Sequence, residues 1–213
     1  MLLLPAAWTV SQDVQLQFNW AFVKREPNGS AQPIDFSERV SVSPGDLFKV
    51  HIQPVKNAFI YLFLHDASGD LKLLFPNRFE DFEGRGYVDT QFFIPAGENW
   101  FTLDSTKGTE RFYLLASSKR LTNLESLTTV CQKAAQSRSK NASSADAARQ
   151  AVLDEISRVR RVHSKLTIVA EKPVTMAGTE RGVNPPSANS PIAKLATEIE
   201  AVDFYTKTFR LEH

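Results

Sequence analysis

The stretch Val14-Gln15-Leu16-Gln17-Phe18-Asn19-Trp20-Ala21-Phe22 decides the fold class. Val14, Leu16, Phe18, Trp20 and Phe22 fall on one side, and Gln15, Gln17 and Asn19 on the other. A period of two is the mark of a strand with one buried face and one wet face. Working outward, Pro27-Asn28-Gly29-Ser30 reads as a turn, and a short strand is expected over 39–43. Ser43-Pro44-Gly45-Asp46 turns the chain into a further strand, with Phe48, Val50 and Ile52 inward and Lys49, His51 and Gln53 outward. The run 58–64, Ala-Phe-Ile-Tyr-Leu-Phe-Leu, is apolar on both faces and reads as the central strand of a covered sheet.

Asp66-Ala67-Ser68-Gly69-Asp70 reads as a hairpin turn into a strand over 71–75, with more strands expected over 87–94, 99–103 and 110–116. Short strands at this spacing predict a sandwich or barrel. The period then changes. Leu121, Leu124, Leu127 and Cys131 recur at helical spacing behind the capping box Thr122-Asn123-Leu124-Glu125. Ala148, Val152, Ile156 and Val159 form the stripe of a second helix over about 145–162. Strand character returns over 166–176, a Gly-, Pro- and Ser-containing loop is expected over 178–191, and a last strand over 199–211.

The expected fold is therefore mainly β, α+β overall. It is an antiparallel β-sandwich from 13–120 plus 166–213, with a helical hairpin inserted at 121–165 and a C-terminal strand returning to the sheet. Residues 1–12, which begin Met1-Leu2-Leu3-Leu4-Pro5-Ala6-Ala7-Trp8, read as the remnant of an export signal in preference to an apolar start packed on the domain. That reading places the protein outside the cytoplasm, in the periplasm or cell envelope.

At 213 residues, 42% hydrophobic and 23% charged, the chain can bury a core without staples. A formal net charge of +1 argues against a nucleic-acid partner, and no run is long enough to span a membrane. The single Cys131 excludes an internal disulfide and a multi-cysteine metal site, and reads as a buried small hydrophobe. His51, His65, His163 and His213 show no ligand spacing, and no nucleophile elbow accompanies them. Neither catalysis nor a cofactor is expected. The Asp66–Asp70 pair lacks the further oxygen ligands of a calcium loop, so no metal site is expected. Arg158, Arg160, Arg161, His163 and Lys165 complement the end of a helix dipole.

The most suggestive surface segment is 74–82, Leu-Phe-Pro-Asn-Arg-Phe-Glu-Asp-Phe. Its Phe75, Asn77, Arg78, Phe79 and Phe82 are the candidate binding residues, since aromatics and arginine anchor partners when exposed. Their bland reading is a cap on the open end of the sandwich.

Taken in order, Ser43-Pro44-Gly45-Asp46, Tyr61-Leu62-Phe63 with Asp66 and Gly69, Leu74-Phe75-Pro76-Asn77, Ile94-Pro95, Gly108-Thr109-Glu110 and Leu115-Ala116-Ser117 form a recognisable pattern. Over about 40–121 the chain resembles the bacterial family called domain of unknown function 4384. The closing Phe204-Tyr205-Thr206-Lys207-Thr208 and Arg210 is similar to endings of envelope proteins of that group. The resemblance implies a β-sandwich accessory domain, found alone in exported proteins or joined to kinase or caspase-like peptidase domains. It supplies no catalytic residues to carry over. The function expected is a non-catalytic binding or scaffolding module of the envelope whose partner is another envelope protein. A sensory domain holding a small ligand between sandwich and hairpin is the alternative, and an unrecognised hydrolase the remaining one.

Overall fold

A computed structural model describes residues 14–83, 87–102, 106–136, 142–163, 169–174 and 196–212. In chain order the strands are β1 (Leu16–Arg25), β2 (Ala31–Pro33), β3 (Val40–Ser41), β4 (Leu47–Lys56), β5 (Phe59–His65), β6 (Leu71–Phe75), β7 (Phe92–Ile94), β8 (Phe101–Thr102) and β9 (Thr109–Ser117). Two helices follow, α1 (Thr122–Gln136) and α2 (Ala142–His163), and then β10 (Val169–Val174), β11 (Ala196–Ala201) and β12 (Phe204–Glu212). One sheet runs β10-β11-β1-β4-β7, with β2 on β1 and β8 on β4, and the other runs β3-β12-β9-β5-β6. All pairs are antiparallel except the short β3–β12 pair. No helix among the described residues is long and apolar enough to cross a membrane.

The alternation of β1 sets the core. Leu16, Phe18, Trp20 and Phe22 point at the second sheet and are buried. Phe22 meets Phe209 at 4.6 Å and Phe112 at 5.2 Å, and Phe18 meets Tyr205 at 5.5 Å. Interdigitated inner faces of this kind are what hold a sandwich together. The other face of the second sheet carries Phe59, Tyr61 and Phe63 on β5 and Phe204 on β12, by the same alternation and by cross-strand register. The helix pair covers that face: Tyr61 bonds Glu125 of α1, and His163 of α2 stacks on Phe204 at 4.5 Å. The molecule is an open β-sandwich with a third, helical layer.

Four expectations change in detail. β9, not β5, is the middle strand of its sheet; β5 is apolar on both faces because it lies between two layers, which is a different property from centrality. The strand expected over 199–211 is two strands in different sheets. Val202 and Asp203 form a bend, and Ser118 N–H bonds the Asp203 carbonyl at 2.8 Å, so the chain turns a corner between the layers there. Within 87–94 only Phe92–Ile94 is strand; Tyr87 drops into the core and Asp89 takes a left-handed φ of 59°. The expected loop over 178–191 and the segment 1–12 lie outside the described residues.

The fourth concerns His51, expected on a wet face and found fully buried. Its neighbours on that outer face, Ala21, Val23 and Lys49, are buried too, and Phe93 lies on the imidazole at 4.9 Å. Lys49 escapes the cost of burial by bonding the Gly97 carbonyl at 2.6 Å and lying over Trp100.

Burial holds His51 neutral, with its pKa lowered to about 3, while the Gln91 side chain opposes the shift. In the unfolded chain the ring titrates near 6.5. The unfolded state therefore takes up a proton that the folded state refuses between about pH 6.5 and 3, and stability falls as pH falls through that window. The contribution lost between pH 7 and pH 5 is about 2 kcal/mol. Urea titrations at both pH values check it: His51→Leu should remove most of the difference, and an unchanged difference refutes the assignment.

Candidate functional site

The two lateral sides of the sandwich are finished differently. On the β10 side, Glu171 of β10 accepts from the Tyr205 hydroxyl at 3.1 Å and from Lys207 Nζ at 2.9 Å, both on β12. That bridge ties the first sheet to the second. On the opposite side the end strands are β6 and β7, and neither has a second neighbouring strand among the described residues.

Between β6 and β7 runs a cleft of about 420 Å³, walled by Leu73 and Leu74 on one side and by Phe92, Phe93 and Ile94 on the other. Its lining continues over Pro95, Ala96, Gly97 and Phe101, and among the described residues it holds two polar side chains, Asn77 and Gln91, and no charged one. A second hollow of about 360 Å³ adjoins it, sharing Phe75, Asn77 and Phe92 and adding Pro76, Glu80, Asp81 and Tyr87. The floor is aromatic. Phe75 meets Phe92 at 4.8 Å and stacks on Tyr87 at 5.8 Å, while the Tyr87 hydroxyl accepts from Ile60 N–H at 3.1 Å. Both peptide bonds that open onto the cleft, Phe75–Pro76 and Ile94–Pro95, are cis.

The wall beside Glu80 is a 3-10 helix, Phe79–Glu83, and it is anchored from inside. Phe82 is buried edge-on against Phe59, Tyr61 and Tyr87 at 5.1–5.3 Å. Arg120 lies over the Phe82 ring, forks onto both Glu125 oxygens at 2.6–3.2 Å and reaches Glu83 at 3.3 Å. Glu125 also accepts from the Tyr61 hydroxyl at 2.6 Å, and that hydroxyl accepts from Leu121 N–H at 2.9 Å. Burial and the adjacent carboxylate push the Tyr61 phenol well above its ordinary range, so it stays a donor. Arg78 and Asp81 pair with each other at 3.2 Å across one turn.

The candidate binding residues thus separate. Phe75 and Asn77 line the cleft; Phe82 is buried beneath its wall; Phe79 is half-buried; Arg78 is exposed on the rim, tied to Asp81. The Leu74-Phe75-Pro76-Asn77 and Ile94-Pro95 elements, distant in sequence, face each other across the opening. The Gly108-Thr109-Glu110 element has its reason at the other end of β5. A side chain at Gly108 would place Cβ 2.7 Å from Ala67 Cβ, so only glycine fits there, and the Glu110 carboxylate accepts from Ala67 N–H at 3.2 Å.

Residues 41–120 match the domain of unknown function DUF4384. No curated protein and no solved structure matches the chain. The DUF4384 segment contains β4 through β9 and hence both walls of the cleft. It does not contain β1, β11 or β12, which carry much of the core, nor the helix pair. Sequence reasoning missed Gln91, Phe92, Phe93 and Tyr87 as lining residues. The Ile94-Pro95 element was the one signal pointing there.

Other constellations resolve locally. Asp66 spends both oxygens on its own turn, accepting from Ser68 Oγ, Asp70 N–H and Lys72 Nζ at 2.6–3.0 Å. His65 is held below its ordinary pKa by partial burial and by the cations Arg111 and Arg149. Cys131 is buried, and burial raises its thiol pKa, opposite to what a reactive thiolate needs. Leu124, Cys131, Val152, Ile156 and Val159 pack the centre of the helix–sheet interface, and a hollow of about 380 Å³ lined by Ser157, Arg160, Arg161 and Thr206 lies at its margin.

Proposed function

We propose that the protein is a non-catalytic binding module of the bacterial cell envelope, which holds an extended segment of a partner protein in the cleft between β6 and β7. The supporting observation is two strand edges, without a further neighbouring strand among the described residues, on either side of an apolar, aromatic-floored cleft. Such an edge offers main-chain donors and acceptors to an incoming strand, and the flanking hollows take its side chains. The DUF4384 elements Leu74-Phe75-Pro76-Asn77 and Ile94-Pro95 sit there, not on the helix pair. The extracytoplasmic placement rests on the apolar start of the sequence and on the resemblance of its ending to envelope proteins. A small-ligand sensor built between sandwich and hairpin has less support: apolar side chains pack the centre of that interface, and the hollow of about 380 Å³ at its margin, lined by Ser157, Arg160, Arg161 and Thr206, lacks an apolar wall among the described residues.

The test uses a photo-crosslinking amino acid at Asn77, on the cleft rim, and at Ser126, exposed on α1. In the native host, position 77 should give a discrete protein adduct and position 126 none. Equal labelling from both positions, or no adduct at 77, counts against the cleft.

A further inference from the structure

We infer that the segment the cleft accepts is apolar and extended, adds antiparallel to the free edge of β6, and carries a lysine or arginine at its N-terminal end. This ligand assignment rests on the proposed binding role and makes it specific. β6 is the edge to extend: it spans five residues without proline, whereas β7 has three and is followed at once by Pro95, which has no N–H to donate. Lys72, held by Asp66, guards the far end of β6.

The charge requirement comes from the asymmetry of the opening. Its wider part is lined without charge among the described residues, whereas the hollow beyond Phe75 ends at Glu80 and Asp81. Asp81 is answered by Arg78, but Glu80 is exposed and has no ion-pair partner among the described residues. Among the described residues, that leaves one net negative charge at that end. β6 runs from Leu71 towards Phe75, that is, towards the acidic hollow. An antiparallel segment, the more stable pairing, begins at the acid, so its first residues carry the cation.

Two acetylated, amidated peptides test this by fluorescence anisotropy. One has two lysines followed by three Val-Thr repeats; in its twin the lysines are glutamates. The lysine peptide should bind the intact protein about fivefold more tightly, an advantage that shrinks with added salt. Glu80→Lys, a surface change that should leave the thermal midpoint unaltered, should reverse the order. If both peptides bind both proteins equally, the charge assignment falls while the cleft reading stands. If neither peptide binds the intact protein, both fall.

Discussion

Phe22→Ala is expected to lower the unfolding free energy by about 3–5 kcal/mol, a large share of the total stability of an ordinary domain. Phe22 is 1% exposed and its ring touches four others: Trp20, Phe36, Phe112 and Phe209, at centroid distances of 4.6–6.3 Å. Those partners come from β1, from the 34–39 loop, from β9 and from β12. Truncation therefore loosens the joint between the two sheets and not one strand alone. Part of the loss is apolar transfer and part is the void, since four rings around one site cannot all collapse into it. Urea titration should show the midpoint fall with an unchanged slope. Val130, which is 56% exposed on α1, provides the control: Val130→Ala should stay within about 0.5 kcal/mol. A loss under about 1 kcal/mol for Phe22→Ala would mean the sheets do not meet through this cluster.

Glu125→Ala is expected to cost about 2–4 kcal/mol, because it strands partners more than it removes a bond. The carboxylate is buried and answers both Tyr61 and Arg120. Without it, the Tyr61 hydroxyl proton has no acceptor in a buried setting, and the Arg120 guanidinium loses its forked partner. Arg120 is partly exposed, so water recovers some of its share. Glu125→Gln keeps an acceptor for Tyr61 and should lose less than half as much. Hydrogen exchange gives a second readout. The 79–83 wall is tied to the helix pair through Arg120, so its amides should exchange faster in Glu125→Ala while β1 and β4 stay protected. Equal losses for both variants would show that the charge pair, not the tyrosine contact, dominates.

The sequence disclosed what depends on neighbours along the chain. The alternation in β1 reports a two-faced strand, and Gly29, Gly45 and Gly69 mark turns, each with φ between 84° and 88°. The stripes Leu124–Cys131 and Val152–Ile156–Val159 mark two helices with one buried side each. What it hid depends on packing between distant segments. His51 alternates like a wet residue, and only the arrangement of Phe93 and its neighbours covers it. The slip at Val202–Asp203 preserves apolar spacing on both sides, so one long strand and a corner look alike. The cleft had half a signature. Phe75 and Asn77 stood out because aromatic, proline and asparagine residues cluster there, yet Phe92 and Gln91 become their neighbours only because β6 and β7 end opposite sheets on the same side. Arg78, Phe79 and Phe82 share the local composition, but one turn of 3-10 helix sends them to the rim, the half-buried flank and the interior.

Amide hydrogen exchange with and without the lysine-first Val-Thr peptide tests the central claim, that the open side of the sandwich is the binding site. Added peptide should slow exchange in 71–75, with 92–94 following to a smaller extent, and leave 122–136 and 142–163 unchanged. Protection confined to the helices, or none anywhere at saturating peptide, would contradict it.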